Sequence, residues 1–391
     1  PSSFEQYAEE FRNAIAGKRE LTAFLRKKNF DNLDSKDTVT VYTGIASFRS
    51  HHEIEVKAGN ETLLLEGEKI FINTGASTII PSIKGLEGNP YVYTSTSIME
   101  LDKLPRRLVI VGGGYIGLEF ASMFAGFGSE VTVLEGGDKF IAREDRDIAE
   151  AVKTEKKGIT IHLNALVQSI EHNDAGAVIT YKEKEGNEVQ LPADAVLLAT
   201  GRRPNTTDLH PEAAGIKISD RGAVIVDDHL RTNVPNIWAM GDVTGGLQFT
   251  YISLDDYRVI KDLLFGSGRR TKDDRVAVSY SVFIDPPLSR IGMGEEEALR
   301  SGRKISIARI PAAAFPRTRT FEQTDGLLKA IVDTETGEIL GCTLFCAEST
   351  EVINTVSLAI RAGKDYTFLR DSIYTHPSMS ESLNDLFALI K

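Results

Sequence analysis

The sequence predicts an α/β fold in two or three domains, and three observations support this prediction. The chain has 391 residues, which exceeds the typical domain length of about 150 residues. Apolar side chains recur at strand-like spacing in some segments and at helical spacing in others. Between Arg106 and Gly137 the chain reads as a strand, a glycine turn, a helix and a second strand.

The individual elements follow from these spacings. Helices are predicted at residues 3–28, 116–127, 251–265, 349–362 and 378–390. Strands are predicted within residues 38–72, at 108–111 and within 159–198. A polar, glycine-rich segment at residues 266–275 predicts a domain boundary.

Composition excludes several classes of protein. Hydrophobic residues make up 41% of the chain and charged residues 26%, which is typical of a globular protein with a large core. The net charge of -11 argues against binding to nucleic acid or to an anionic membrane surface. No apolar run approaches the ~18 residues of a membrane helix, and no signal segment is recognisable. We therefore expect a cytoplasmic protein.

The glycine turn has the spacing of a nucleotide-binding motif, G-x-G-x-x-G, formed by Gly112, Gly114 and Gly117. The first glycine permits a tight bend, the second lets the backbone approach a pyrophosphate, and the third lets helix and strand pack closely. Glu135 ends the next strand, where a carboxylate accepts hydrogen bonds from a ribose diol and repels a 2′-phosphate. The motif predicts an NAD site, and the nearby Arg143 leaves NADP as an alternative.

The two cysteines, Cys342 and Cys346, lie in the strand-like segment GCTLFC. They allow two interpretations, a redox or metal-binding pair and two small core residues. On a strand they would face one side roughly 13 Å apart, whereas a disulfide needs Cα atoms within about 7 Å. Two thiolates without a nearby histidine also fall short of the four ligands of a structural zinc site. We favour core residues and predict no metal site.

Four motifs carry a family resemblance, and they are GGGYIGLEFASMF, LLATGRRPN, IWAMGDVTGG and HPSMSE. In this order they resemble the pyridine nucleotide–disulfide oxidoreductases, which are flavoproteins that use FAD and NAD(P)H. Lipoamide dehydrogenase, glutathione reductase and mercuric reductase are members. The resemblance spans the whole chain and is closest to a bacterial subgroup linked to reactive-chlorine resistance and metal-ion reduction.

The resemblance implies two Rossmann-like nucleotide-binding domains, the FAD one incomplete, followed by an α+β dimerisation domain. The expected parts are a partial FAD domain at residues 1–105, an NAD(P) domain at 106–226, a return to the FAD domain at 227–273 and a dimerisation domain at 274–391. It also implies a homodimer whose active site is formed by both chains.

Several residues match flavin-binding positions of the family. Asp242 matches the aspartate that holds a ribityl hydroxyl, although an aspartate after a strand is also an ordinary turn residue. Thr250 matches the start of a helix under the flavin, whose N-terminus would stabilise negative charge on the reduced ring. Thr74 and Gly75, together with Gly201, match the two crossovers into and out of the FAD domain, where glycines are equally common as plain turn residues.

Four further residues match positions near the reacting atoms. Tyr115 matches the tyrosine that covers the flavin until nicotinamide enters, and Glu119 matches a buried carboxylate that pairs with a lysine. His376 matches the acid–base of the redox thiol, and Glu381 matches the carboxylate that orients it. Histidine suits that role because imidazole exchanges protons near neutrality. Without the resemblance, His376 would read as a polar residue before a proline, and the family's second histidine is Tyr374 here.

Two family motifs do not occur before residue 106. They are the G-x-G-x-x-G for the FAD pyrophosphate and the redox pair C-x4-C. Residues 1–28 resemble the helical region that follows that pair, so we expect the chain to lack the family's first tens of residues. Weak or absent FAD binding is then expected, and Glu119 would lose its lysine partner, which would raise its pKa.

The sequence therefore predicts an FAD-dependent NAD(P)H oxidoreductase of the disulfide-reductase type. Hydride would pass from NAD(P)H to flavin, then electrons to a cysteine pair and to a small disulfide, an oxidant or a metal ion. The alternative is that these 391 residues form a non-catalytic scaffold that binds NAD and dimerises without flavin.

Overall fold

The computed structural model describes residues 3–155 and 158–391, which divide into two units. The first unit contains the residues up to Phe11, Ser82–Ala199 and Val276–Lys391, and the second contains Arg12–Pro81 and Thr200–Arg275.

The α-helices and strands of the described residues are numbered here in chain order. The helices are α1 (Phe4–Asp34), α2 (Tyr115–Gly126), α3 (Arg146–Glu155), α4 (Thr250–Phe265), α5 (Glu295–Arg300), α6 (Pro316–Thr320), α7 (Ser349–Arg361), α8 (Tyr366–Asp371) and α9 (Ser382–Ala388). The strands are β1 (Ile45–Phe48), β2 (Glu53–Ala58), β3 (Glu61–Glu66), β4 (Ile70–Ile72), β5 (Ala76–Thr78), β6 (Val92–Thr94), β7 (Arg107–Val111), β8 (Glu130–Leu134), β9 (Ile159–His162), β10 (Leu166–Asn173), β11 (Gly176–Lys182), β12 (Glu188–Ala193), β13 (Ala195–Leu198), β14 (Arg202–Pro204), β15 (Ile237–Ala239), β16 (Tyr280–Val282), β17 (Leu288–Gly292), β18 (Ile305–Pro311), β19 (Leu327–Asp333) and β20 (Ile339–Phe345).

A five-stranded parallel sheet forms one part of the first unit, in the order β6-β13-β7-β8-β9. The last four residues of β7 are all buried, as expected for a parallel strand covered on both faces. Helix α2 buries Leu118, Ala121 and Phe124, which follow one another at intervals of three residues, so one apolar face is buried. The strand–turn–helix–strand order predicted from the sequence is confirmed.

A five-stranded antiparallel sheet, in the order β16-β17-β20-β19-β18, forms another part of the first unit. Cys342 lies within β20 and Cys346 directly follows it; both are buried and free. Burial raises the pKa of Cys346 to about 12, so its thiol keeps its proton at neutral pH. The interpretation of both cysteines as core residues is confirmed.

The second unit contains three small sheets. Strands β1, β2 and β3 are antiparallel, β4 pairs in parallel with β15, and β5 pairs antiparallel with β14. The prediction of strands from residue 38 onward was wrong at its start, because β1 begins at Ile45. Ile45 pairs with Lys57, and β2 ends one residue later at Ala58, so the strand offers almost no further length for the residues before Ile45 to pair with.

Two predicted helices have different ends in the structure. Helix α1 continues to Asp34, beyond the predicted end at residue 28. Helix α9 spans Ser382–Ala388 and is shorter than the predicted helix at 378–390. Serine hydroxyls explain the late start, because Ser378 donates to the carbonyl of Thr375 and accepts the N–H of Glu381, which holds the chain in a turn.

A buried lysine joins the segment before α3 to the antiparallel sheet. The side chain of Lys329 is only 1% exposed and lies 2.8 Å from Asp145 Oδ2, 3.0 Å from Asp147 Oδ1 and 2.5 Å from Glu295 Oε2. Burial lowers the pKa of Lys329, but the hydrogen bonds to the three carboxylates outweigh burial and raise it overall. These carboxylates could group around a metal ion, but two cations, Lys329 and Arg309, already pair with them.

Replacing Lys329 with methionine should destabilise the protein by about 3 kcal/mol, because Asp145 would lose its buried cation and Arg309 alone would remain beside Asp147 and Glu295. Lys304→Met is the control, because Lys304 pairs with Glu335 on the surface, where the side chains are 75% and 60% exposed. That variant should lose less than about 1 kcal/mol. Urea unfolding followed by circular dichroism measures both, and equal losses would contradict the expectation.

Candidate cofactor sites and the histidine–glutamate pair

Helix α2 begins at the glycine turn, and no side chain caps its N-terminus. Gly114 is the N-cap, and a Cβ on it would meet no heavy atom within 4 Å, so open space lies in front of the helix. A Cβ on Gly117 would lie 2.2 Å from the carbonyl oxygen of Gly112, so helix and turn touch there. These features fit the pyrophosphate of a pyridine nucleotide, because first-turn N–H groups and the helix dipole attract an anion.

Glu135 lies directly after β8, beside the glycine turn. Its Oε2 accepts a hydrogen bond from the N–H of Gly113, and its Oε1 accepts one from the N–H of Gly137, both at 2.7 Å. These two bonds hold the half-buried carboxylate at the position where the motif predicts a ribose. The side chain of Arg143 is exposed.

Tyr115, the first residue of α2, contacts a carboxylate that the sequence did not indicate. Its hydroxyl donates to Oε1 of Glu144 at 2.6 Å, and Tyr280 donates to the same oxygen at 2.5 Å. Arg290 Nη1 lies 3.3 Å from the other oxygen. Burial and the Glu144 carboxylate raise the pKa of both tyrosines well above the ordinary value. Glu144 lies in the polar segment IAREDRD, whose pattern contains no signal for a buried residue.

Glu119 lies one turn further along α2. Its Oε1 accepts a hydrogen bond from the N–H of Phe283 at 2.9 Å, and within the described part of the chain it forms no ion pair. Burial raises the pKa of its carboxyl, and the hydrogen bond from Phe283 only partly offsets this. The raised pKa agrees with the expectation for this carboxylate when no lysine is next to it.

In the second unit, Asp242 lies in a single turn of 3-10 helix, Gly241–Thr244. Its half-buried carboxylate is 4.0 Å from Arg202 Nη2. Helix α4 starts at Thr250, which is exposed, and no side chain caps the N-terminus of this helix. An accessible carboxylate and an uncapped helix N-terminus fit the ribityl and ring portions of FAD. The chain contains a single G-x-G-x-x-G, at Gly112–Gly117 in the other unit.

The two crossover segments bind each other through β5 and β14. Thr74 Oγ1 donates to the carbonyl of Asn205 at 2.8 Å, and the Asn205 side chain donates to the carbonyl of Thr74 at 2.9 Å. Gly75 and Gly201 have φ of 71° and 99°, which favours glycine at both positions. Asn205 was not among the predicted site residues, although it is the last residue of the motif LLATGRRPN.

His376 and Glu381 form the pair predicted from the sequence. Nδ1 of His376 lies 3.0 Å from each oxygen of Glu381. The histidine side chain is 71% exposed and that of Glu381 is 19% exposed. A carboxylate only accepts hydrogen bonds, so Nδ1 carries the proton and Nε2 can exchange one with a substrate group. The prediction of Glu381 inside a helix was wrong, because it is the N-cap of α9.

Comparison with known proteins assigns the family. Residues 3–256 match the model of the pyridine nucleotide-disulphide oxidoreductases, and residues 278–387 match the dimerisation domain of that family. The probable pyridine nucleotide-disulfide oxidoreductase RclA of Escherichia coli (strain K12) is 52% identical over 98% of this chain and 86% of its own length. Dihydrolipoyl dehydrogenase of Bacillus subtilis (strain 168) is 33% identical over 88% of this chain and 73% of its own length.

A solved structure agrees with these relatives. It is the Cu(II) complex of the HOCl-induced flavoprotein disulfide reductase RclA from Escherichia coli. It matches with a TM-score of 0.93 and 52% identity over 97% of this chain and 85% of that chain.

The fold and the sites define a flavin- and pyridine-nucleotide-dependent oxidoreductase. The chain belongs to the pyridine nucleotide–disulphide oxidoreductase family, whose cofactors are FAD and NAD(P)H, and it contains the family's dimerisation domain. The alternative of a non-catalytic scaffold finds no support in these matches, which extend over most of an enzyme relative. Among the described residues, no helix combines the length and apolar character that a membrane crossing requires.

Gly114→Ala should weaken NADH binding about tenfold or more, because the added Cβ would occupy the open space in front of α2. The fold should persist, because Gly114 has φ of -74°, which alanine adopts readily. Gly126→Ala, at the other end of α2, is the matched control and should bind NADH normally, since its Cβ also meets nothing within 4 Å. Fluorescence titration with NADH gives both affinities; equal affinities would refute the assignment.

Glu119→Gln should change how stability depends on pH. Burial raises the pKa of Glu119 in the folded state, so ionisation favours the unfolded chain. The free energy of unfolding of the unaltered protein should therefore fall relative to that of the variant. The fall should occur as pH rises from the ordinary pKa of a glutamate carboxyl to the raised pKa of Glu119 in the folded protein. Glu9→Gln, at an exposed position of α1, should show no such trend. Urea unfolding at a series of pH values measures the difference, and parallel profiles for Glu119→Gln and the unaltered protein would contradict it.

Proposed function

We propose that this chain is an FAD-dependent NAD(P)H oxidoreductase of the disulfide-reductase type in which His376 moves the proton that accompanies reduction of the acceptor. The observation that carries this proposal is the placement of Nδ1 of His376 at 3.0 Å from both oxygens of Glu381, with the imidazole exposed. The carboxylate orients the ring by accepting the proton of Nδ1, so Nε2 faces away from Glu381 and can act as acid and as base.

Each cofactor is assigned to residues whose surroundings fit it. The turn Gly112–Gly117 binds the pyrophosphate of the pyridine nucleotide, and Glu135 accepts hydrogen bonds from its ribose. Asp242 would hold the ribityl chain of FAD, and the N-terminus of α4 at Thr250 would stabilise negative charge on the reduced ring. When bound, FAD accepts a hydride from NAD(P)H and passes two electrons onward. Tyr115 and Glu119 would lie near the nicotinamide ring. Thr74, Gly75 and Gly201 would belong to the two crossovers into and out of the FAD domain.

The acceptor is proposed as a disulfide, an oxidant or a metal ion. A copper ion is supported as one candidate by the Cu(II) complex of the RclA relative. The cysteine pair between flavin and acceptor is proposed from the family alone, because C-x4-C does not occur in these 391 residues. Cys342 and Cys346 are not assigned to this step, since both are buried and reactive cysteines need an accessible thiolate.

The domain organisation is proposed as predicted from the sequence. Residues 1–105 and 227–273 would form the FAD-binding part, 106–226 the NAD(P)-binding part and 274–391 the dimerisation part of a homodimer. The dimerisation domain matched at residues 278–387 supports the last assignment. The cytoplasmic location stays a prediction.

The test combines flavin absorption with two electron acceptors. Disulfide reduction needs the C-x4-C pair, which these 391 residues do not contain, so the test uses the chain joined to a family segment that carries this pair. With added FAD, this protein should show the visible band of bound flavin and should oxidise NADH when a small disulfide or Cu(II) is present. His376→Gln should slow disulfide reduction by about 10²-fold or more. Reduction of a dye that takes electrons directly from flavin should be unaffected, because it bypasses His376.

His210→Gln is the matched control for this test. His210 forms an exposed pair with Glu212 at 3.2 Å, so the substitution removes a similar contact elsewhere. This variant should retain full activity with both acceptors. A protein without a flavin band and without NADH oxidation would refute the proposed function, whereas equal rates for the two histidine variants would refute only the role of His376.

A further inference from the structure

Asp256 is a buried carboxylate on α4 that the proposed function does not use. Only 2% of the residue is exposed. Its Oδ2 accepts a hydrogen bond from the backbone N–H of Gly241 at 2.7 Å. Gly241 directly precedes Asp242, so the carboxylate of Asp256 binds the turn one residue before the proposed flavin ligand.

The turn at Gly241 has little freedom to adopt another position. Its φ of 71° lies in the left-handed region, and a Cβ there would lie 2.7 Å from Oγ of Ser253 and 2.8 Å from Oδ1 of Asn73. The turn is closed by hydrogen bonds from Thr244 Oγ1 to the carbonyl of Gly241 and from the N–H of Gly245 to the carbonyl of Asp242. The bond to Asp256 connects this turn to α4.

The charge of Asp256 is balanced inside the same unit. Arg275 Nη2 forms an ion pair with Oδ1 of Asp256, which leaves Oδ2 for Gly241. Arg275 also binds the neighbouring Asp255, with Nε at 2.7 Å from Oδ2, and Arg270 binds the other oxygen of Asp255. Asp255 thus shares the cation of Asp256, but its described contacts do not include Gly241. Both aspartates therefore form an ion pair with Arg275, but only Asp256 also binds the turn at Gly241.

We propose that Asp256 is a positioning residue for flavin binding, which holds the Gly241–Asp242 turn so that the carboxylate of Asp242 faces the ribityl chain. This inference rests on the proposed function in taking Asp242 as the flavin ligand. Asp256 acts through its hydrogen bond to Gly241 and does not touch the flavin, because its two oxygens are occupied by Gly241 and Arg275.

The experiment compares Asp256→Ala with Asp255→Ala in the full chain. Both variants lose an ion pair with Arg275, but only Asp256→Ala leaves the N–H of Gly241 without an acceptor. Hydrogen exchange at the Gly241 amide, followed by NMR with ¹⁵N-glycine, should accelerate about tenfold or more in Asp256→Ala and should not change in Asp255→Ala. FAD affinity from flavin fluorescence should fall about tenfold in Asp256→Ala alone.

Asp256→Asn tests the role of the hydrogen bond when Asp256→Ala does not fold. The amide oxygen can still accept the N–H of Gly241 although the negative charge is lost, so exchange at Gly241 and FAD affinity should stay within about twofold of the unaltered protein. Faster exchange at Gly241 or weaker FAD binding in Asp256→Asn would overturn the inference. Equal effects of the two alanine variants would also overturn it. Absence of FAD binding by the unaltered protein would instead contradict the proposed function, and Gly241 exchange would still report on Asp256.

Discussion

A buried charged side chain costs several kcal/mol unless an opposite charge or hydrogen bonds balance it, and this constraint places the functional segments in each unit. In the first unit, Arg290 balances Glu144, whose carboxylate binds the hydroxyl of Tyr115 at the start of the nucleotide-binding helix. In the second unit, Arg275 balances Asp256, which binds the turn before Asp242. A shift of either segment would leave a buried carboxylate oxygen without its hydrogen-bond donor, so these carboxylates keep each segment in place.

Local patterns predicted the parts of the fold that depend on neighbours in sequence. The glycine turn, α2 and α4 follow from spacing that a short window contains. The pair of His376 and Glu381, five residues apart, was predicted from the family resemblance and not from spacing. Glu144 could not be predicted in this way, because Arg290 lies 146 residues further along the chain. The early part of α9 was mispredicted because serine hydroxyls compete with helical hydrogen bonds, which periodicity does not reveal.

Burial separates residues that can carry chemistry from residues of the same kind that cannot. Cys342 and Cys346 are nucleophilic side chains by type, but desolvation keeps their thiols protonated. The imidazole of His376 is exposed and oriented by a carboxylate that is itself mostly buried. Sequence motifs name residue types, and the structure adds the solvent access that decides which of them exchange protons with a substrate.

The two cofactor turns share one arrangement, and the difference between them assigns the roles of their carboxylates. In each turn a carboxylate accepts a glycine N–H at 2.7 Å, from Gly113 to Glu135 and from Gly241 to Asp256, near a helix without a side-chain cap. Glu135 is half-buried and binds no cation within the described residues, so it can also face a ribose. Asp256 is buried against Arg275 and cannot reach a ligand. The same hydrogen bond is therefore made by the proposed ribose ligand, Glu135, in the first turn and by the proposed positioning residue, Asp256, in the second, where Asp242 is the proposed ligand.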